Sequence, residues 1–153
     1  MNIEYLRPFM NATVKVIHTM AFVEPVPGEP FLKQEERASE DISGVIGMTG
    51  DTDGSLSVCF GEGCILALVS NMFGDEITEL NEEVEDAVGE ITNMICGDAR
   101  RELSERGVSL RAAIPQVITG KDHRIRHISS GPCLAVPFET PNGRFTIEVC
   151  FAS

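Results

Sequence analysis

Apolar residues recur along this chain at two different periods, and the alternation between them predicts three helices and five strands. Ile3, Leu6, Met10, Val14, Ile17 and Ala21 fall three or four apart, so residues 2–22 read as a helix with Asn2 as a candidate cap. Pro8 stands close to the first turn, where a missing N–H is best tolerated. The run Glu24-Pro-Val-Pro-Gly-Glu-Pro30 then denies both helix and central strand. Residues 31–41 are polar and read as a strand edge or a loop. Residues 42–49 and 55–60 read as two strands, with Gly50 to Gly54 as the hairpin link.

Residues 62–73 form a short apolar helix closed by Gly74. The longest predicted helix covers 81–106, with Asn81 as its N-cap and Gly107 as its stop. Glu82, Glu83, Glu85 and Asp86 crowd its first turns while Arg100, Arg101 and Arg106 lie near its end, which suits the helix dipole. Strands follow at about 109–118, 133–139 and 144–151, and Asn142-Gly143 joins the last two as a tight hairpin. This order predicts an α+β fold with helices packed on a mainly antiparallel sheet. Its 153 residues suffice for one domain, 1–153, with a single core.

Composition narrows what that fold can do. There is no tryptophan and one tyrosine, so the core must rest on aliphatics and the eight phenylalanines. The formal net charge is −12, which works against nucleic acid and anionic lipid, since both are bound chiefly through Lys and Arg. No apolar run approaches the ~18 residues that read as a membrane span. The N-terminus lacks a basic segment followed by an apolar one, so no signal peptide is read. Five cysteines without a C-x-x-C, mostly inside apolar runs, are expected as buried free thiols. That expectation places the protein in a reducing compartment, the cytoplasm.

On a helical wheel, Val84, Ala87, Val88, Ile91, Met94 and Ile95 gather on one side of the long helix as its core stripe. Asp86, Glu90, Asn93 and Gly97 gather within roughly 60° of one another on the opposite side. The chain thus builds a solvated ridge with a carboxylate and a carboxamide one turn apart. Gly97 costs about 1 kcal/mol against alanine inside a helix, and close approach of another molecule is one reason to keep it. A carboxylate and an amide make no self-contained nucleophile and base. They suit an assisting role, in which an amide orients a water and an acid grips a cation.

Asp86-Ala-Val-Gly-Glu90-Ile-Thr-Asn93-Met-Ile-Cys-Gly97 resembles the signature helix of the CheC/CheX/FliY phosphatases, an acidic position, then E-x-x-N, then a glycine. Other segments are similar to the CheX branch in order and spacing: Tyr5 to Phe9 through Thr19-Met20, Gly28 to Lys33, Asp41 to Gly50, Pro115 to Gly120, and Val136 to Thr140. The resemblance implies a CheC/CheX-like fold and a phosphatase acting on a phosphorylated CheY-like response regulator. It implies that Asn93 orients the attacking water, that Glu90 pairs with the regulator's lysine, and that Asp86 and Gly97 have supporting roles. It implies no cofactor of the chain's own, with Mg²⁺ supplied in the regulator's active site. It also implies a homodimer joined through edge strands, for which Phe145 to Phe151 and Leu110 to Ile114 are the candidates. Asp98 and Cys96 depart from the family's more usual Asn and small residue. The first helix carries no E-x-x-N, so one active helix per chain is expected, as in CheX.

Two weaker constellations point to simpler readings. His123 and His127 have helical metal-ligand spacing but no third ligand nearby in sequence, and read as part of a solvated basic loop. Asp51-Thr-Asp-Gly54 has part of a calcium loop without its glutamate, and reads as a hairpin turn. No phosphate-binding glycine loop is present. The rival to a phosphatase is a non-catalytic module that binds a response regulator or flagellar motor component through the same helix.

Overall fold

The computed structural model describes residues 3–33, 40–120 and 133–152. A short 3₁₀ turn leads into α1 (Leu6–Ala21), which ends on Phe22, a non-glycine residue in the left-handed region with φ 60°. The proline-rich stretch follows as β1 (Val26–Pro27) and β2 (Phe31–Lys33), both short. Then come β3 (Ile42–Gly50), β4 (Gly54–Phe60), α2 (Glu62–Phe73) and α3 (Glu82–Glu105). The chain continues with β5 (Leu110–Ala112), β6 (Gln116–Thr119), β7 (Cys133–Thr140) and β8 (Gly143–Phe151). His123 and His127 lie outside the described residues.

All pairings in the sheet are antiparallel, in the order β1-β7-β8-β4-β3-β5, with β2 also on β7 and β6 also on β3. Pro27 of β1 cannot donate to a ladder, and β1 with β2 sits at one border of the sheet. The expected single strand over 109–118 is instead two. Between the pairs Met48↔Ala112 and Val45↔Gln116, two residues of β3 face three of the other strand, an added residue at Pro115. The strand at 144–151 is also not an edge, contrary to expectation. As β8 it lies between β4 and β7, so its N–H and C=O groups are already paired on both sides.

The helices cover one face of this sheet. Leu56, Val58, Phe60, Phe145, Ile147, Val149 and Phe151 alternate along β4 and β8 and join one core with Phe9, Ile17, Ile65, Val88 and Ile95 from the helices. Phenylalanines carry much of it: Phe138 stacks on Phe145 at 5.1 Å between centroids, and Phe9 meets Phe151 at 5.9 Å. A small separate cluster of Val45, Cys59 and Ile118 lies on the other face. The cysteine expectation fails for two residues. Cys133 and Cys150 face each other across β7 and β8 with Cα atoms 4.2 Å apart and form a disulfide, while Cys59, Cys64 and Cys96 are free and buried. The two cysteines are 17 positions apart in sequence, and only the strand register brings them together.

Candidate functional site

The ridge depends on α3 being well capped and closely seated. Asn81 caps it as expected, its Oδ1 accepting from the Val84 N–H at 3.0 Å. Gly107, at φ 88°, terminates the segment behind Arg106. The buried residues are Val84, Ala87, Val88, Ile91, Thr92, Ile95, Cys96, Ala99 and Leu103. Met94 does not belong with them: it is 38% exposed, because α1 packs beside α3 without covering that flank. Thr92 takes the inward place instead, its hydroxyl donating to the Val88 carbonyl at 2.8 Å within the helix.

Asp86, Glu90 and Asn93 are all exposed, and Gly97 is half-buried. None of the three polar side chains makes a hydrogen bond or ion pair within the described residues. Glu90 and Asn93 therefore stand about 4.5 Å apart along the helix axis with their polar groups free for another molecule. Apart from its own helix backbone, nothing lies within 4 Å of where a Cβ on Gly97 would be. Packing within this chain thus gives no reason for glycine there.

Charge changes sign along the ridge. Asp86 and Glu90 precede Asn93, whereas Arg100 and Arg101 follow it. Arg100 is turned inward, its Nη1 donating to the Leu110 carbonyl at 3.2 Å. Asp98, one of the two departures from the family pattern, is held by Arg101 and by Lys15 of α1, the latter at 3.4 Å. An asparagine there could not form those ion pairs. Cys96, the other departure, is buried, and desolvation pushes its thiol above the usual range despite the Arg100 guanidinium nearby.

A groove of about 830 Å³ lined by Glu4, Arg7, Met10 and Arg106 lies at the far end of the α1–α3 pair. Arg106 is thirteen residues past Asn93, roughly 20 Å along the helix, so this groove is not part of the ridge. A protruding ridge needs no cavity of its own if the reacting group arrives in a partner's site. Among the described residues, no group of three or more His, Cys, Asp or Glu could hold a metal ion, and no helix is long and apolar enough to cross a membrane.

Comparison with known proteins agrees with this fold. Residues 42–139 match the family model described as chemotaxis phosphatase CheX. The CheY-P phosphatase CheX of Thermotoga maritima is 29% identical over 138 residues, covering 90% of this chain and 88% of the relative. The crystal structure of a CheC-like superfamily protein from Shewanella sp. PV-4 superposes with a TM-score of 0.93 at 42% identity, over 100% of both chains. The CheX of the CheX–CheY–BeF₃–Mg²⁺ complex from Borrelia burgdorferi shares the fold at 23% identity, with a TM-score of 0.84 over 99% of this chain and 100% of that one. Three helices on an antiparallel sheet, superposing this closely on a CheC-like superfamily protein, put the chain in the CheC/CheX-like fold class. Within that class the match over residues 42–139 is decisive, and the chain belongs to the family of the chemotaxis phosphatase CheX.

Proposed function

We propose that this chain removes the phosphoryl group from the aspartyl phosphate of a CheY-like response regulator, with Asn93 orienting the attacking water and Glu90 gripping the regulator's lysine. The observation that carries the reading is the pair itself: Glu90 and Asn93, exposed and unpartnered, one turn apart on a helix fixed at its start by the Asn81 cap. The names of the Thermotoga relative and of the Borrelia complex point to the same partner.

An acyl phosphate needs little covalent help to hydrolyse. Water attacks phosphorus, the bond from phosphorus to the aspartate oxygen breaks, and the products are inorganic phosphate and a free aspartate carboxylate. What an added protein can supply is orientation and a matched charge. The Asn93 carboxamide oxygen accepts a hydrogen bond from the water and holds its lone pair toward phosphorus, as an amide does in some GTPases. Glu90 sets the register through its charge, and Asp86, one turn earlier, adds to the same acidic field. The regulator brings its own Mg²⁺, which neutralises phosphoryl charge. The activity belongs in the cytoplasm, where such a regulator works.

The test is turnover of a phosphorylated CheY-type receiver by catalytic amounts of this protein and of Asn93→Ala. Loss of one positioned hydrogen-bonding group in a reacting site costs about 100-fold or more. Asn93→Ala should fall by that factor while keeping its melting temperature, since alanine is the better helix former. Parent-like turnover by Asn93→Ala would remove the amide from the mechanism. Binding of the receiver without turnover by the parent would make the chain a docking module.

A further inference from the structure

Beside the ridge, α1 and α3 leave an open groove of about 230 Å³ between them. The two helices run antiparallel, as the contacts Asn11 to Glu102 and Lys15 to Asp98 show. That direction carries the C-terminal half of α1 past Met94 and Gly97. Thr19 of α1 borders the groove on one side, with Met94 and Gly97 of α3 on the other. Lys15, Asp98 and Arg101 close one end.

We infer that this groove is the second half of the regulator's docking surface, taking one apolar side chain of the regulator over Met94 and Gly97 with an acidic residue beside it. The inference rests on the phosphatase reading of the ridge and adds to it the chemistry of the neighbouring contact. Three observations carry it. Met94 is exposed on the flank of Glu90, four residues away on the same side of the helix, and methionine adapts its shape to an incoming apolar group. Gly97 has open space where a Cβ would stand, at a position where glycine costs helix stability. The volume is below the ~300 Å³ at which small-molecule pockets begin, and suits a single side chain.

Charge sets the orientation. Lys15 and Arg101 have side chains 62% and 63% exposed and share one carboxylate, Asp98. Two cations against one anion leave the end of the groove at about +1 in a chain of net charge −12. The regulator thus meets an acidic contact at Glu90 and a basic one at Lys15 and Arg101, with the groove between them. A partner with a lysine at one end and an acidic residue at the other docks in one direction only. Continuity with the ridge, rather than depth, makes the groove part of the same interface.

The probe is a CheY-type receiver from the same organism, loaded with beryllofluoride and Mg²⁺ so that binding is measured apart from hydrolysis. Thr19→Trp plugs the groove from α1 and leaves the Glu90 and Asn93 side chains themselves unchanged. Its dissociation constant should rise on the order of tenfold, the scale of losing one buried apolar contact, while kcat at saturating phosphorylated receiver stays within about twofold of the parent. Gly97→Ala should raise the melting temperature and still weaken binding, a pair of opposite signs that a merely structural glycine would not give. Lys15→Glu should weaken binding more at low salt than at high salt. Parent-like affinity of a folded Thr19→Trp, or of Gly97→Ala, overturns the groove. Failure of the ridge reading shows separately, as parent-like turnover by Asn93→Ala.

Discussion

Gly44 of β3 lies directly under Thr92 of α3: a Cβ built on Gly44 would fall 2.0 Å from the Thr92 hydroxyl oxygen and 3.3 Å from a Val88 methyl. The absence of one side chain on the sheet therefore sets how closely α3 can sit. Gly44→Ala cannot be accommodated without lifting α3 or displacing Thr92. Overpacking of this kind costs about 1–3 kcal/mol. We expect a lowered melting temperature and a drop in turnover of phosphorylated receiver, with Gly44→Ala/Thr92→Ser recovering less than Gly44→Ala/Thr92→Ala. Equal stability of Gly44→Ala and the parent would show that the helix seat is loose.

Glu90 should behave as one half of an ion pair that exists only in the complex. Glu90→Gln keeps the shape and removes the charge, so it should raise the dissociation constant for phosphorylated receiver by about tenfold or more. The same change should do nothing further once the receiver's active-site lysine is replaced by alanine. A double-mutant cycle reads this directly, and strict additivity would sink the pairing.

The disulfide makes a countable prediction. Denatured under oxidising conditions without reductant, the protein should take up three alkyl groups, at Cys59, Cys64 and Cys96; after reduction it should take up five. In the native state the three free thiols should react slowly, since burial pushes each of them above the usual thiol range and only the thiolate is nucleophilic. Five additions without reductant would mean that Cys133 and Cys150 are thiols.

Assembly is the remaining expectation from the family resemblance. With β8 inside the sheet, β5 and β6 are the candidate edge for a homodimer, and Ile114 between them is 86% exposed. We propose pairing at this border, so the protein should sediment at about twice its 16.6 kDa chain mass. Ile114→Asp should shift it toward the monomer. A parent monomer at micromolar concentration with full phosphatase activity would refute the dimer.

Local pattern was enough for the parts of the site that are themselves local. A capped helix from Asn81, a period of 3.6 residues, and the positions of Asp86, Glu90, Asn93 and Gly97 within it place all four on one face, whatever the rest of the chain does. Both hairpins were legible for the same reason, because their strands are neighbours in sequence. Pairing between distant segments decided the rest. Sheet order put β8 in the interior and not at an edge, and strand register set Cys133 opposite Cys150. The placement of α1 leaves Met94 exposed beside the ridge, where the wheel alone assigns it to the core, and the fit of Thr92 over Gly44 joins two segments 48 positions apart. Periodicity tells which face of an element turns inward; it carries no information about which element it meets there, and that contact sets the depth, the edges and the neighbours of this site.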